Sequence, residues 1–441
     1  MAQRKELLKA HAFTQQRLVA ALVDRDPDNP TPPLRRLGLG TFVSMLLAAV
    51  LVGGFALFGY LTKPSTNAWS QDKPVVIVDT DSGVVFFTLD GKKIFPATNI
   101  TSARLITGGD TIVKATTAAL ASAERGPRYG IVGAPSQLPD KSTMTAFPLR
   151  VCSLPATKNL RYTVLDTHAP GASSDTAIGL EVNDRTYLVV GGVAHLIPDG
   201  SPLLGNATSL KGTEAFLRAL PQGQEIKPFS DATKGNKALR GQNLVGTIVY
   251  TGDQTDKASW NYYIQLIDGY SAISYLDAMV NNQTPTAVQA SYVASNRSET
   301  QNSVTPGLPM GPVSFTSTDT TKTNVCATYT ADSANPKITI GDTVAGPTDT
   351  KATPAVATYD RVTTAPGGGA LLRSLGTDAD GATFLIWQGQ KYGIPDLESR
   401  TSLGYASGVD IGTVQPALLS LIPDGLPAGI ALDRTHANHP A

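Results

Sequence analysis

The amino-acid sequence predicts an α+β protein: a single transmembrane helix, then an elongated extracytoplasmic domain of four ββα-like repeats around a central β domain with one disulfide. Three observations carry this. Residues 37–62 contain no charged side chain, two distant stretches align without a gap, and the two cysteines, Cys152 and Cys326, fall in the intervals between repeated segments.

The length, 441 residues, exceeds one ordinary domain. Lys+Arg and Asp+Glu number 36 each, so no basic excess points to nucleic acid. The wide cysteine spacing excludes a C-x-x-C redox motif and a cysteine metal cluster.

Residues 1–36 form the first segment, expected to be an amphipathic cytoplasmic stub. Leu7, Leu8, Phe13, Leu18, Val19 and Leu22 are placed on one side of a helix over residues 4–23, which Asp26-Pro27 and the prolines at 30, 32 and 33 stop. A lone helix of this length is marginal, so it calls for a protein or lipid surface; a solvated tail is the alternative. Residues 37–62 follow as the transmembrane helix, bounded by Arg36 and Lys63. At about 1.5 Å per residue the run exceeds the roughly 30 Å hydrocarbon core. A cleaved signal peptide would have a shorter apolar run nearer the start. Arg4, Lys5, Lys9, Arg17, Arg25, Arg35 and Arg36 precede the run, whereas Lys63 is followed by no basic residue before Lys73. The positive-inside rule places the N-terminus in the cytoplasm and the remainder outside. In an oxidising compartment Cys152 and Cys326 form a disulfide; two buried thiols are the alternative. Gly40, Ser44 and Ala48 recur every four residues, a spacing that lets another helix approach closely.

The repeats come next. Residues 186–199 align with 383–396: Thr186 with Thr383, Leu188 with Leu385, Gly192 with Gly389, and Ile197-Pro198-Asp199 with Ile394-Pro395-Asp396. Each reads as a strand, a glycine turn and a return strand ended by proline. Leu220-Pro221-Gln222-Gly223 matches Ile422-Pro423-Asp424-Gly425, read as a short helix stopped by proline and glycine. Weaker copies run from Val85 through Gly91 and Ile94-Phe95-Pro96 to Ser102, and from Tyr262 through Gly269 and Ile273 to Ser274. The resulting expectation is repeat 1 at 73–120, a first central-domain segment at 121–175, repeat 2 at 176–228, repeat 3 at 244–290, a second central-domain segment at 291–370 and repeat 4 at 371–435. Repeats 2 and 3 would extend from one end of the central body and repeats 1 and 4 from the other. Segments 281–324 and 341–370, rich in Thr, Ser, Asn, Pro and Gly, read as loops or broken strands.

No catalytic pattern emerges. The one Gly-Lys pair, Gly91-Lys92, is followed by Lys93, and no G-x-x-x-x-G-K-[ST] string occurs. None of His11, His168, His195, His436 and His439 belongs to an H-E-x-x-H motif, and no G-x-S-x-G elbow occurs. His195 faces Tyr392 in the repeat alignment and reads as strand packing. Asp199 and Asp396 could suggest glycoside chemistry, but as repeat equivalents they read as turn or helix caps. The expectation is no catalytic, cofactor-binding or metal-binding residues.

The sequence resembles the EccB family of the ESX (type VII) secretion membrane complex along nearly its whole length. The resemblance rests on Phe13, Arg17, Ala21-Leu22-Val23, Arg25-Asp26 and Pro33-Leu34-Arg35-Arg36, then Lys63-Pro64 and Trp69. It continues through Gly91, Pro96, Asn99, Ser102-Ala103-Arg104-Leu105, Gly133-Ala134-Pro135, both cysteines, Leu403-Gly404-Tyr405 and Leu432-Asp433. Lys9-Ala10-His11-Ala12 departs from the family's more basic, glycine-containing stretch. The resemblance implies a scaffold in an actinobacterial inner membrane that self-associates through its periplasmic domain. Its partners would be the EccC motor ATPase, EccD, EccE and a mycosin protease. It also implies repeats similar to a phage-lysin wall-binding module, hence a peptidoglycan anchor as the alternative role, and an ATPase label that no motif here supports.

Overall fold

A computed structural model describes residues 2–23, 35–61, 69–70, 72–155, 161–168, 177–205, 209–300, 305–315, 322–331, 333–344 and 358–440. The chain divides into two units, Met1–Ala68 and Trp69–Ala441.

The first unit holds α1 (Ala2–Val23) and α2 (Arg35–Leu61). In α1, Leu7, Leu8, Phe13, Leu18 and Leu22 are exposed. Counting about 100° per residue, His11 and Gln15 fall among Leu7, Leu18 and Leu22, while Phe13 lies across the helix. The expected one-sided apolar stripe is therefore interrupted, and α1 is not clearly amphipathic. In α2, Gly40–Gly59 is long and apolar enough to cross a membrane. The Ser44 hydroxyl donates to the Gly40 carbonyl at 2.8 Å, which satisfies it inside the helix.

The second unit is built from five sheets. In the first, β1 (Val75–Asp79), β2 (Val85–Thr88) and β3 (Lys93–Pro96) form an antiparallel meander. Helix α3 (Ile100–Thr107) then carries the chain to β4 (Ile112–Ala115), which pairs parallel with β1. After α4 (Thr117–Leu120), β5 (Glu124–Arg125) lies parallel to β3. A hairpin of β6 (Leu149–Pro155) and β7 (Arg161–Asp166) follows.

The second sheet has β8 (Ile178–Val182), β9 (Arg185–Val190), β10 (Val193–Ile197) and β11 (Ser209–Lys211), then α5 (Glu214–Ala219). The third has β12 (Ile248–Thr251), β13 (Asn261–Leu266), β14 (Gly269–Ile273), α6 (Tyr275–Val280) and β15 (Thr286–Ala287), then α7 (Ala290–Ser295). Next come β16 (Val325–Tyr329), β17 (Lys337–Ile340) and β18 (Arg361–Thr363). The fourth sheet has β19 (Ala370–Ser374), β20 (Thr383–Trp387), β21 (Gln390–Ile394), α8 (Leu397–Ser402) and β22 (Ile411–Val414). Helices α9 (Pro416–Ser420) and α10 (Arg434–Ala437) follow it.

In each of these four sheets the strand after the three-stranded meander returns parallel to the first, as β4 on β1, β11 on β8, β15 on β12 and β22 on β19. A parallel return needs a crossover, which a helix or a single 3₁₀ turn supplies here. The hairpin signature in the sequence thus marks the middle of a larger unit. The opening and returning strands carry no turn residue of their own to announce them.

The remaining sheet has the order β17-β16-β6-β7-β18. Its two hairpins, β6–β7 and β16–β17, meet along β6 and β16, with Cys152 directly opposite Cys326. The two hairpins are therefore related by a local twofold through the cysteine pair. One face of this sheet, including Val151, Leu165, Val325 and Ala327, packs on the second and fourth sheets. The far face of the fourth sheet packs on the first, and that of the second sheet packs on α6 of the third. Two lobes result: the first sheet with the fourth, and the second with the third.

Candidate interaction site

The centre of the molecule is the Cys152–Cys326 disulfide, whose Cα atoms lie 4.0 Å apart on adjacent strands. Both cysteines are fully buried. On the same face of β6, Arg150 is buried and hydrogen-bonds Asp166. Its other terminal nitrogen lies 3.6 Å from Asp342, which also accepts from the Thr339 hydroxyl at 2.7 Å. His168 Nδ1 is 2.5 Å from the second Asp166 oxygen. Burial alone would raise the Asp166 carboxyl, but the hydrogen bonds from His168 and Arg150 outweigh it and hold the group below the usual carboxylate range. A buried ion cluster thus flanks the disulfide. Removing one partner would strand a charge.

The motif glycines acquire a second role. Gly192 has φ +74°, and a Cβ there would stand 1.9 Å from the Pro336 carbonyl oxygen, next to β17. Gly389 has φ +84° and faces the Val362 carbonyl of β18, 3.5 Å from a Cβ position. The two hairpin turns therefore abut opposite edges of the central sheet. Pro198 and Pro395 each end a return strand, directly after β10 and β21. Asp396 caps α8, accepting from the Ser399 amide at 2.7 Å. Asp199 lies in a turn, and the nearby 3₁₀ helix Pro202–Leu204 is capped by Ser201 instead. The two aspartates are local structural residues in separate sheets.

The second shared ending works differently from its reading as a helix stop. Gly223 and Gly425 do not cap α5 and α9. They bridge to the return strands, with amides donating to Ala194 and Lys391 at 2.9 Å each. A Cβ on Gly223 would lie 2.2 Å from the His195 ring, and one on Gly425 would lie 2.3 Å from the Tyr392 ring. Gly126 meets Phe95 in the same way, at 2.2 Å, in the first sheet. A ring seated on a glycine thus clasps the edge of three sheets. The signal for it was present in the aligned His195/Tyr392 and Gly223/Gly425 pairs, but pairing them required the fold. His195 Nδ1 donates to the Gln224 carbonyl at 2.8 Å, and burial depresses its pKa.

Gly91-Lys92 sits in the β2–β3 turn, where Asp90 accepts from the Lys92 amide at 3.0 Å. That is a hairpin turn rather than a phosphate loop opening a helix. Among the described residues no group of His, Cys, Asp or Glu is arranged to hold a metal.

Against the third sheet lies a cleft of about 390 Å³. Its floor is Ile264, Leu266 and Ile273 with the buried Asp277, and its rim includes Glu225, Asp231, Asp268 and Lys227. Thr233 donates its hydroxyl and amide to Asp231 and keeps it below the usual carboxylate range. Burial would raise Asp268, but the Ser298 and Thr300 hydroxyls hold it low. Asp277 is held in the α6 capping box and accepts from Thr305. Sequence reading missed this cleft, because its two walls come from segments that turns and loops separate.

A helix able to span a bilayer, joined to a disulfide-bonded α+β domain, defines the class: a candidate membrane-anchored protein whose mass lies in one multi-sheet domain. The chain belongs to the EccB family, matching over residues 2–439 the family described as type VII secretion system ESX-1, transport TM domain B. It is 30% identical over 237 residues to the ESX-5 secretion system ATPase EccB5 of Mycobacterium tuberculosis strain H37Rv. The match covers 52% of this chain and 44% of that protein, so the chain spans under half the length of that relative. The Mycobacterium marinum EccB5 is 27% identical, over 64% of this chain and 61% of its own. Among solved structures, a chain of an intact ESX-5 inner membrane complex is similar with TM-score 0.61 and 22% identity, over 99% of this chain and 95% of that one. The EccB3 dimer from the ESX-3 core complex gives TM-score 0.61 and 20% identity, over 82% and 99%. At these identities the likeness concerns the fold.

Proposed function

We propose that this protein is a structural, non-enzymatic subunit of a type VII secretion inner-membrane complex and that it organises the periplasmic side by self-association. The observation that carries this is the architecture: one candidate membrane helix bearing a domain whose lobes are fixed to a disulfide-linked centre. The likeness to EccB chains from ESX-5 and ESX-3 assemblies supports it. The four similarly connected sheets are copies of one unit, which fits the sequence alignment of the second with the fourth. Charge flanking α2 orients the N-terminus toward the cytoplasm. Gly40, Ser44 and Ala48 form the face on which a neighbouring helix packs. EccC, EccD, EccE and a mycosin protease are the partners this reading names.

Native membranes solubilised in mild detergent test it by capture of the tagged full chain and identification of what migrates with it. The expected result is a high-mass assembly containing the motor ATPase and the multispanning EccD. Recovery of free protein alone would overturn the reading.

A further inference from the structure

We propose that the cleft on the third sheet receives residues 234–244 of a second copy of this chain, with Leu239 as the inserted side chain, and that the exchange is reciprocal. The inference rests on the self-association proposed above and assigns it a surface. Leu239 is 82% exposed and Leu244 54% exposed, on a loop that also bears Lys234, Lys237 and Arg240 and no carboxylate. Single exposed leucines are ordinary on a protein surface. Leu239 differs in how it is held. Its amide donates to the Ile267 carbonyl at 2.8 Å, the Val245 amide donates to Asn236 at 2.9 Å, and the Gln265 side chain donates to the Arg240 carbonyl at 2.7 Å. The loop is pinned at several points along its length, and the leucine stands outward.

The cleft is the complement. Its floor is aliphatic but for the buried Asp277, and its rim carries Glu225, Asp231 and Asp268, with Lys227 held 3.9 Å from Glu225. A basic loop with an apolar knob and an acidic cleft with an apolar floor thus sit on one lobe. Ile267 and Val245 are shared between the cleft lining and the loop anchors. A twofold interface requires such self-complementarity, because the same patch must serve both partners. Within one copy the Arg240 guanidinium reaches Glu299, at 3.9 Å with both side chains exposed. Opposite charge around the knob and hole fixes register and suppresses wrong partners.

The test uses the full chain in native membranes. Because Cys152 and Cys326 are already joined and buried, thiols introduced by Leu239→Cys and Asp231→Cys report contacts of their own. The expected result is a cross-linked band of twice the chain mass, and none when Lys92→Cys replaces either. Leu239→Asp should weaken self-association roughly tenfold or more, as loss of a central anchor does. Arg240→Glu should weaken it too, and adding Asp231→Lys should restore it. Self-association that persists unchanged in Leu239→Asp, without the cross-link, would overturn this surface while leaving the scaffold reading intact. A wild-type chain that is monomeric in its membrane would overturn both. Leu239, Arg240 and Asp231 are exposed, so retained melting temperatures will verify that the variants fold.

Discussion

The two lobes share a strand plan and differ in how they are closed. The joint of the first and fourth sheets is a core of 18 buried apolar residues, including Phe87, Trp387, Tyr392 and Tyr405. Polar ties cross it: Arg104 donates to the Leu403 carbonyl at 3.0 Å, and the Tyr405 hydroxyl donates to Pro139 at 2.8 Å. Counted over the described residues, the joint of the second and third sheets has 9 such residues, with a cleft beside it. The chain that follows each ending glycine takes a different course. After Gly425 it is free to wrap the lobe. Leu426 and Leu432 enter the core, and the Gly130 amide donates to the His439 carbonyl at 3.2 Å. After Gly223 residues 224–247 bury Ile226 in the joint and line the cleft before the chain enters β12. The strand plan is shared, whereas the segments that pack on each joint are not.

Breaking the element that both lobes depend on should have the largest effect. Replacing both cysteines by serine removes a bond closing a separation of 174 residues, and the loss should approach about 5 kcal/mol in the chain-entropy model. Denaturant unfolding of the solubilised protein measures it, and hydrogen exchange should rise in both lobes together. Next, Leu403→Ala and Leu276→Ala delete fully buried side chains in the two joints, each at about 2–5 kcal/mol. Exchange after Leu403→Ala should spread across the first and fourth sheets, whereas after Leu276→Ala it should stay near α6. An equal spread in both would erase the distinction drawn here.

The glycine clasps sharpen it further. Gly425→Ala and Gly223→Ala force a methyl group into the Tyr392 and His195 rings, and each should cost about 1–3 kcal/mol through overpacking. The smallest effect is one of pH. Burial depresses the His195 pKa below its ordinary 6.5, although the backbone hydrogen bond and the negative charge of Asp277 oppose this. Above pH 6.5 both folded and unfolded chains hold a neutral imidazole, and the stabilising contribution is fully present. As the pH falls from there toward the folded pKa, the unfolded chain takes up the proton first and stability is lost. Denaturant unfolding should therefore show stability falling as the pH drops through the ordinary imidazole range, and His195→Tyr, the residue type the fourth sheet uses, should remove that dependence.

Much of this was legible in the chain. The uncharged run gave the candidate membrane helix, because spanning a bilayer demands a length and an apolar composition that few other elements need. The aligned hairpins announced themselves through Gly192, Gly389 and the Ile-Pro-Asp endings, since tight turns and strand ends are local requirements met by few residue types. Cys152 and Cys326, placed between repeated segments, pointed to a linked centre. The α1 stripe is not one-sided, because His11 and Gln15 fall among Leu7, Leu18 and Leu22 while Phe13 lies across the helix. The glycines at 223 and 425 misled, because a glycine after a helix and a glycine under a ring look alike in sequence.

By itself, then, the sequence determined the candidate membrane helix, the two aligned hairpins and the cysteine pair, each set by backbone geometry or polarity over a few neighbouring residues. Only the tertiary structure decided which ring rests on which glycine, that Arg150 is enclosed by Asp166 and Asp342, and which side chains enter each joint. Those outcomes depend on side chains brought together from distant strands, and packing between distant segments leaves no local pattern in the chain.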